Sequence, residues 1–328
     1  MGCACGAAVE VVSTQVHRAH IGGSFGRRTL VSGAFDVDVL MFVFAYGDRT
    51  LTYQDWTGEA GERLQRDMQR AVAAYLRAQG LRDVVEVEYG THYKHCINVK
   101  VHGVDMDIKM AANVLQGAWA SRAGAGGWYR RRVACMHAAQ QLTDADPARE
   151  AALAESLTKA VKAISDRVKF VARLVKCWYK GSLAVRIPHV PSVLLEVLTL
   201  AAAQSKGLLS PSKKSPGAEV AVLVAALELL DAAVSRREVV LLEAGPVWGY
   251  TRQQALGCAH VWDADPVVVL HPIDPTCNLA AAAPGRAVDW GALAAEARAL
   301  RRVVREQSML DLVTGSSLAR AIKVQLAP

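Results

Sequence analysis

Two aspartates separated by one residue, Asp36 and Asp38, begin an apolar run that continues to Phe44. Alternate residues of a β-strand point to the same face, so a strand here would hold both carboxylates together and direct Val37 into the core. Two carboxylates on a buried strand are costly unless a cation lies between them. The pair therefore predicts a site for Mg²⁺, which binds carboxylate oxygens together with substrate phosphates.

A small-residue turn, Gly22-Gly23-Ser24, precedes this pair. Its glycines leave backbone N–H groups accessible and Ser24 adds a hydroxyl, a combination that suits a phosphate group. An Asp-x-Asp pair alone is most often a turn or surface feature, and a glycine pair alone is most often a tight turn. A metal site next to a phosphate-binding turn would suit nucleotidyl transfer, and the order of glycine turn, serine, paired aspartates and apolar strand is more specific than either feature alone.

A second alternating stretch, 104–108, carries Asp105 and Asp107 on one face. A neighbouring strand that delivers a third carboxylate is what a two-metal site needs beside an Asp-x-Asp pair. Without that context, Asp107 would be interpreted as a solvated acid at the end of a hairpin. The two stretches together predict a cluster of acids shared by two strands.

A basic segment follows later in the chain, and its cations recur at helical spacing. Lys169, Arg173, Lys176 and Lys180 are predicted to line one face of a helix. Such a row is most often a solvated face, and it can also face bound phosphates. The apolar residues predicted to pack inward on the opposite side are Phe170, Leu174, Cys177 and Trp178.

Periodicity predicts the elements that must position these residues. Thr57–Gln79 has apolar residues at helical spacing, which predicts an amphipathic helix. Val84–Tyr89 and Cys96–Val101 alternate and are rich in valine, which predicts two strands. A helix is also expected over Ala8–His20. The glycine- and arginine-rich stretch Ser121–Arg132 predicts a loop between two lobes, and the chain beyond it is expected to be mainly helical.

Composition bounds the class of protein. The chain has 328 residues, of which 52% are hydrophobic and 21% charged, so it can bury a large core and is not a disordered chain. A net charge of +7 permits a polyanionic partner such as RNA or nucleotide phosphates. Seven cysteines without a repeated spacing argue against a disulfide framework and predict a reducing compartment. No charge-free apolar run reaches roughly 18 residues, so no transmembrane segment is expected.

Four segments resemble the 2′-5′-oligoadenylate synthetases, a branch of the polymerase-β-type nucleotidyltransferases that is related to cyclic GMP-AMP synthase. The first is the glycine turn with its paired aspartates, followed by a run in which Asp107 matches the family's third aspartate. The second is Arg-Leu-Val-Lys-Cys-Trp-Tyr at 173–179. The other two are the stretch from Pro191 to Thr199 and Asp-Pro-Thr-Cys-Asn at 274–278.

The resemblance implies an α+β fold with two lobes: a nucleotidyltransferase core with a mixed, twisted sheet over residues 1–130, and a helical lobe over residues 131–328. It implies template-independent transfer of AMP from ATP to a ribose 2′-hydroxyl, with release of pyrophosphate. Asp36, Asp38 and Asp107 would be the catalytic residues and would hold two Mg²⁺ ions.

The resemblance also implies how the nucleotide is held. Gly23 and Ser24 would cradle its phosphates. Arg173 and Lys176 would neutralise the triphosphate from the helical lobe.

The base is expected to lie near Ser192 and Val193, where the family has glutamine and tyrosine. Stacking on an aromatic ring is worth about 1–3 kcal/mol per base, and that ring is absent from position 193. The choice between ATP and GTP therefore stays open.

Enzymes of this family are activated by double-stranded RNA, so the resemblance implies an RNA surface and a role in antiviral innate immunity in the cytoplasm. The cations expected to contact RNA phosphates are Lys159, Lys162, Arg167 and Lys169. The part of the surface that precedes the glycine turn looks shortened, with Arg18 as its one Lys or Arg residue. We therefore expect weak or partial, salt-sensitive binding of duplex RNA.

Two alternatives stay open. A cyclic-dinucleotide synthase similar to cyclic GMP-AMP synthase would need a zinc-binding His/Cys cluster, and the nearest group, His92, His95 and Cys96, is more typical of a strand with polar residues. A non-catalytic RNA-binding relative would be expected to have lost acids of the triad. The start of the chain also partly matches an acylation signal at Gly2 and Cys3, as an alternative to an unmodified cytosolic protein.

Overall fold

The structure is a computed structural model that describes residues 13–31, 36–88, 95–113, 146–209, 217–243, 250–282 and 285–306. Its first half contains β1 (Thr14–Ile21), α1 (Gly23–Arg27), β2 (Asp36–Tyr46), β3 (Arg49–Thr50), α2 (Gly58–Ala78), β4 (Val84–Glu88), β5 (His95–Val101) and β6 (Val104–Ala112). Its second half contains α3 (Pro147–Lys162), α4 (Asp166–Ser182), α5 (Ser192–Ser205), α6 (Ala218–Ser235), α7 (Arg252–Gly257) and α8 (Trp290–Glu306).

These bounds confirm the strand after Asp36, the amphipathic helix before residue 79 and the two valine-rich strands. The helix expected over Ala8–His20 is wrong, because Thr14–Ile21 is a strand. Pairing decides this element: β1 runs antiparallel along one edge of β2, from Thr14 opposite Tyr46 to Ile21 opposite Val39. Backbone hydrogen bonds to a neighbour outweigh weak local helix propensity.

The strands form one mixed sheet in the order β1-β2-β6-β5-β4, with β3 added to the end of β2. β2 and β6 are parallel and adjacent, whereas the other neighbouring strands are antiparallel. β2 is therefore an interior strand, which agrees with its continuous apolar run.

Two layers of helix cover the sheet. On one face, α2 lies against β4, β5 and β6. On the other face, Leu40 and Phe42 of β2 pack against Ala151 and Ala154 of α3. Asp36 and Asp38, at the start of β2, point to the same face as Leu40. They therefore lie next to the area of the sheet that α3 covers.

Helices α4, α5, α6 and α8 pack together in the second half of the chain. Trp178 is fully buried there, as expected. The predicted division of α4 into a basic face and an apolar face is wrong, because Lys169 and Lys176 are buried and Phe170 is 51% exposed. Val168, Val171, Ala172 and Val175 form much of the buried side instead.

The expected loop and lobe boundary near residues 121–132 lie outside the described residues. No helix in the described part of the chain is long and apolar enough to cross a membrane.

Candidate active site

Four carboxylates lie on one face where β2 and β6 begin. The parallel register places Asp36 opposite Asp105 and Asp38 opposite Asp107. Paired residues of neighbouring strands point to the same side of a sheet, so the two Asp-x-Asp pairs form a block of four acids. Asp38 and Asp107 are half-buried, whereas Asp36 and Asp105 are exposed. The structure thus brings together the three predicted catalytic acids and adds Asp105.

A lysine lies within this block. The ammonium of Lys109 donates to Oδ1 of Asp38 at 2.7 Å, and the side chain is buried. Sequence reasoning missed this residue, although the signal was present: Lys109 follows Asp107 by two positions and therefore shares the acid face of β6. Burial alone would lower the pKa of Lys109, but the carboxylate of Asp38 outweighs it and raises that pKa.

The surroundings of Asp107 disfavour its charged form. Burial raises the pKa of its carboxyl to about 6; Lys109 opposes the rise, and the charges of Asp36, Asp38 and Asp105 add to it. A site that disfavours its own negative charge gains from a bound cation. The electrostatics of Asp107 therefore fit a group of positive charge beside it.

The glycine turn lies directly against Asp38. The N–H of Gly22 donates to the carbonyl oxygen of Asp38 at 2.8 Å. Gly23 has a φ of +56°, and a Cβ placed on it would lie 1.7 Å from Oδ2 of Asp38. The turn predicted here is the start of α1, and Gly23 and Ser24 are its first two residues. The chain thus brings the predicted phosphate-binding residues to the acid block.

A buried ion cluster fastens the segment after α1 to the helices. Glu196 of α5 accepts from Arg27 Nε at 2.6 Å, from Thr29 Oγ1 at 2.8 Å and from Lys176 Nζ at 2.7 Å. Lys176 also donates to the carbonyl oxygen of Thr29 at 2.9 Å. Burial alone would raise the pKa of Glu196, but Arg27 and Lys176 outweigh it and lower it to about 2. Glu196 is therefore ionised and joins both halves of the molecule.

This cluster assigns Lys176 a position that the sequence did not predict. Its side chain is 1% exposed, and its ammonium contacts Glu196 and Thr29. In this arrangement Lys176 holds Thr29, five residues after Ser24, in place. Its expected contact with a triphosphate stays a prediction.

Arg173 lies nearer the surface. Its guanidinium donates to the carbonyl oxygen of Arg28 at 2.9 Å. Together with Lys162 and the apolar Ile21 and Phe25, it lines a surface cleft of about 580 Å³ beside α1. The two α4 cations expected to bind phosphate therefore differ in exposure, because Lys176 is enclosed and Arg173 is not.

The residues expected to read the base begin α5. Ser192 and Val193 are both half-buried, and Val193 packs against the main core. Their expected contact with a base is not decided by this placement and stays a prediction.

The expected RNA cations are mostly engaged within the protein. Lys159 pairs with Glu155 at 3.0 Å, and Arg167 pairs with Glu219 at 2.6 Å. Lys169 is buried and donates to the carbonyl oxygen of Lys162 and to Asp166. The prediction that Lys169 contacts RNA at an exposed surface is therefore wrong. Lys162 is exposed.

Arg18, the one cation before the glycine turn, points inward. Its guanidinium contacts Glu155 at 2.8 Å and lies 3.9 Å from the centre of the Phe42 ring. It also donates to Asn113. The contact with Glu155 joins β1 to α3.

A metal of the Mg²⁺ type fits the chemistry of the acid block, since oxygen ligands on adjacent strands are what such ions bind. Within the described ranges, no three His, Cys, Asp or Glu side chains already converge at metal-binding distances. The ammonium of Lys109 contacts one carboxylate oxygen of Asp38. His92 lies outside the described residues, and burial raises the pKa of Cys96 to about 12, which disfavours a zinc thiolate.

The Asp-Pro-Thr segment at 274–276 carries a second buried polar cluster. Asp274 is fully buried and accepts from the side chain and backbone of Thr276. Arg149 of α3 donates to Thr276 at 2.7 Å and lies 3.4 Å from Asp274. This segment therefore holds α3 in place and is distant in sequence from the acid block.

Comparison with solved structures finds proteins of similar fold. The chain is similar to CdnC of E. coli MS115-1 in complex with HORMA-deltaN, with a TM-score of 0.54, 17% identity, and coverage of 95% of this chain and 84% of the other. The same CdnC solved with ATP gives a TM-score of 0.54 at 16% identity over 95% and 85%. Terminal uridylyl transferase 4 from Trypanosoma brucei with bound GTP gives 0.53 at 14% identity over 93% and 86%.

The fold is that of the two-lobed, polymerase-β-type nucleotidyltransferases. The expected α+β fold class is thereby confirmed. Neither a family model nor a curated protein matches the sequence.

Proposed function

We propose that this protein is a metal-dependent nucleotidyltransferase that acts on nucleoside triphosphates. The observation that carries the proposal is the block of in-register acids on β2 and β6, with Gly23 pressed against the carboxylate of Asp38. Its fold supports the same class, since CdnC solved with ATP and a uridylyl transferase solved with GTP share it.

The acids of the block and the residues at the start of α1 would have different roles in this reaction. Asp36, Asp38 and Asp107 would hold Mg²⁺, which when bound polarises the phosphate and lowers the pKa of an attacking hydroxyl. Asp107 would also help to accept the proton of that hydroxyl. Gly23 and Ser24 would orient the phosphates at the start of α1.

The ion cluster around Glu196 would keep the phosphate-binding segment in place. Glu196 contacts Arg27 and Thr29, which lie shortly after Gly23 and Ser24. Arg173 donates to the carbonyl oxygen of Arg28, between those two residues. Positioning of reacting groups is a large part of catalysis in phosphoryl transfer. We therefore infer that the helical half contributes by fixing geometry as well as charge.

The finer proposal is a 2′-5′-oligoadenylate synthetase-like enzyme that joins AMP units from ATP. It rests on the sequence resemblance. A cyclic-dinucleotide synthase is the second candidate, favoured by the likeness to CdnC. Products decide between them, since a linear 2′-5′ oligomer retains a 5′-triphosphate and a cyclic dinucleotide has no free end.

Duplex RNA is proposed as a weak activator only. Of the four expected cations, Lys169 is buried, while Lys159 and Arg167 have carboxylate partners. Fewer available cations mean fewer phosphate contacts and stronger dependence on shape.

The test is turnover with purified protein, Mg²⁺, and labelled ATP and GTP, with and without duplex RNA, followed by identification of products. We expect metal-dependent release of pyrophosphate, and we expect Asp38→Asn to abolish it while circular dichroism shows a folded chain. Asp48→Asn, an exposed acid just beyond β2, is the matched control and should keep full activity. If Asp38→Asn keeps more than about a tenth of the activity, the proposal fails.

A further inference from the structure

A buried cation inside a metal-binding acid cluster needs an explanation. Lys109 is 6% exposed, and its ammonium lies 2.7 Å from Oδ1 of Asp38. Its partner in the register of β2 is Leu40, which is apolar and buried. An apolar residue would therefore suit position 109. The lysine side chain instead extends past Leu40 to Asp38, two residues earlier on β2.

Two lysines offset half of the negative charge of the cluster in the absence of a metal. Lys109 offsets Asp38, and Lys100 of β5 lies 3.3 Å from Asp105. Four carboxylates against two ammonium groups leave two negative charges. The pair made by Lys100 is half exposed and strongly screened, whereas the pair made by Lys109 is enclosed. Lys109 therefore has the larger influence on the affinity of the site for a cation.

A divalent ion and an ammonium compete for the same carboxylate. A metal held by Asp38 must displace Lys109 from Oδ1 or share that carboxylate with it, and like charges close together repel. A bound triphosphate changes the balance, since its oxygens bring negative charge and additional metal ligands.

We propose that Lys109 is a positioning residue that competes with the divalent cation for Asp38, so that the site loads its metal together with the nucleoside triphosphate. The inference rests on the proposed function, because it assumes that Asp38 holds a metal. Lys109 keeps the carboxylate of Asp38 oriented and neutralised in the metal-free protein. The exchange of ammonium for metal then accompanies nucleotide binding.

The experiment measures Mn²⁺ binding by electron paramagnetic resonance, on the full chain, with and without a non-hydrolysable ATP analogue. Lys109→Met removes the charge and keeps the length of the side chain, Lys109→Arg keeps the charge, and Lys100→Met is the control on the neighbouring strand. Lys109→Gln serves as a second neutral variant if the methionine variant melts too early to titrate.

We expect Lys109→Met to bind Mn²⁺ at least about tenfold more tightly than wild type without nucleotide. The analogue should improve Mn²⁺ binding less in this variant than in wild type. Lys109→Arg and Lys100→Met should stay within about twofold of wild type, as expected for a retained charge and for a screened pair.

Unchanged or weaker Mn²⁺ binding in both neutral variants overturns the inference, even if the wild type turns over nucleotide. Tighter binding in those variants by a chain that has no metal-dependent turnover supports competition at Asp38 and overturns the proposed function. Absence of Mn²⁺ binding in every variant, with and without the analogue, overturns both.

Discussion

The carboxylate of Asp38 lies so close to the backbone of Gly23 that any side chain at position 23 would overlap it. A Cβ there would be 1.7 Å from Oδ2 of Asp38, at a backbone φ of +56°. Two constraints thus coincide, one on the space around Gly23 and one on its conformation.

Gly23→Ala is therefore expected to displace Asp38 and to reduce turnover at least about a hundredfold, a loss typical of a misplaced catalytic group. Gly58→Ala is the matched control, since Gly58 has a φ of +62° and open space around its Cβ position. Both variants should lose roughly 1–2 kcal/mol from the left-handed backbone conformation. Thermal melts of the two variants measure the cost of the backbone strain that both share. Steady-state rates measure the effect of the overlap with Asp38, which only Gly23→Ala introduces. Equal activities would show that the contact with Asp38 is unimportant.

A second prediction concerns Asp107 and pH. The carboxyl has a pKa of about 6 in the folded protein and 3.8 as its ordinary value, so between these pH values the folded state binds more protons than the unfolded state. Stability of the metal-free protein should fall as pH rises from about 4 to above 6.

Asp107→Asn should remove this dependence of stability on pH. In EDTA the variant should melt above wild type at pH 7.5 and lose its advantage near pH 4, whereas added Mg²⁺ should stabilise only the wild type. Asp105→Asn, an exposed acid of the same strand, should change the melting temperature less. A lower melting temperature for Asp107→Asn in EDTA at pH 7.5 would contradict the electrostatic account.

A third prediction concerns the ion cluster. Glu196→Gln leaves Arg27 and Lys176 without their buried carboxylate, and breaking such a pair costs about 3–5 kcal/mol. Glu296→Gln removes a partner of Arg186 at 2.9 Å in an exposed pair, which is worth about 0–1 kcal/mol. Chemical denaturation of both variants measures the difference. Similar free energies of unfolding would mean that the cluster around Glu196 contributes little.

RNA binding gives a fourth prediction. Lys162→Glu should weaken binding to long duplex RNA and flatten its salt dependence, because an exposed phosphate contact is lost. Lys206→Glu, an exposed lysine just after α5, should have little effect. Filter-binding titrations at low and moderate salt provide the measurement. Tight, salt-resistant binding that is indifferent to Lys162→Glu would place the RNA surface elsewhere.

The base site gives a fifth prediction. With valine at position 193, selectivity between ATP and GTP should be loose, and Val193→Tyr should raise ATP affinity through stacking, by up to about 1–3 kcal/mol. Because Val193 packs against the core, a melting curve must accompany the binding titration. If the variant is folded, binds ATP no better and the wild type already rejects GTP, another residue contacts the base.

Periodicity alone predicted the acid face correctly. The alternation of Asp36 with Val37, and of Asp105 with Met106, is local information, and a period of two places alternate side chains on one face. What periodicity could not give was the register that sets Asp38 beside Asp107. The resemblance to known enzymes implied only that Asp107 joins Asp36 and Asp38 in one site, and the structure adds the register.

Charge spacing misled where the partner came from elsewhere in the chain. Lys169 and Lys176 looked like members of a solvated row, yet both donate to groups on other helices, Lys169 to the carbonyl oxygen of Lys162 and Lys176 to the carboxylate of Glu196. The partner of Lys176 is 20 residues away on another helix. The burial of a lysine depends on such partners, which its own helix does not reveal.

The distance along the chain between Arg27 and Glu196 has a consequence for biosynthesis. These residues are 169 positions apart, so the glycine segment leaves the ribosome long before the helix that fastens it. A nascent chain that has reached residue 113 already contains every acid of the block, but not α4 or α5. The buried contact between Arg27 and Glu196 can therefore form only after residue 196 has emerged, so the last fastening of the segment beside the acid block is a late event in synthesis.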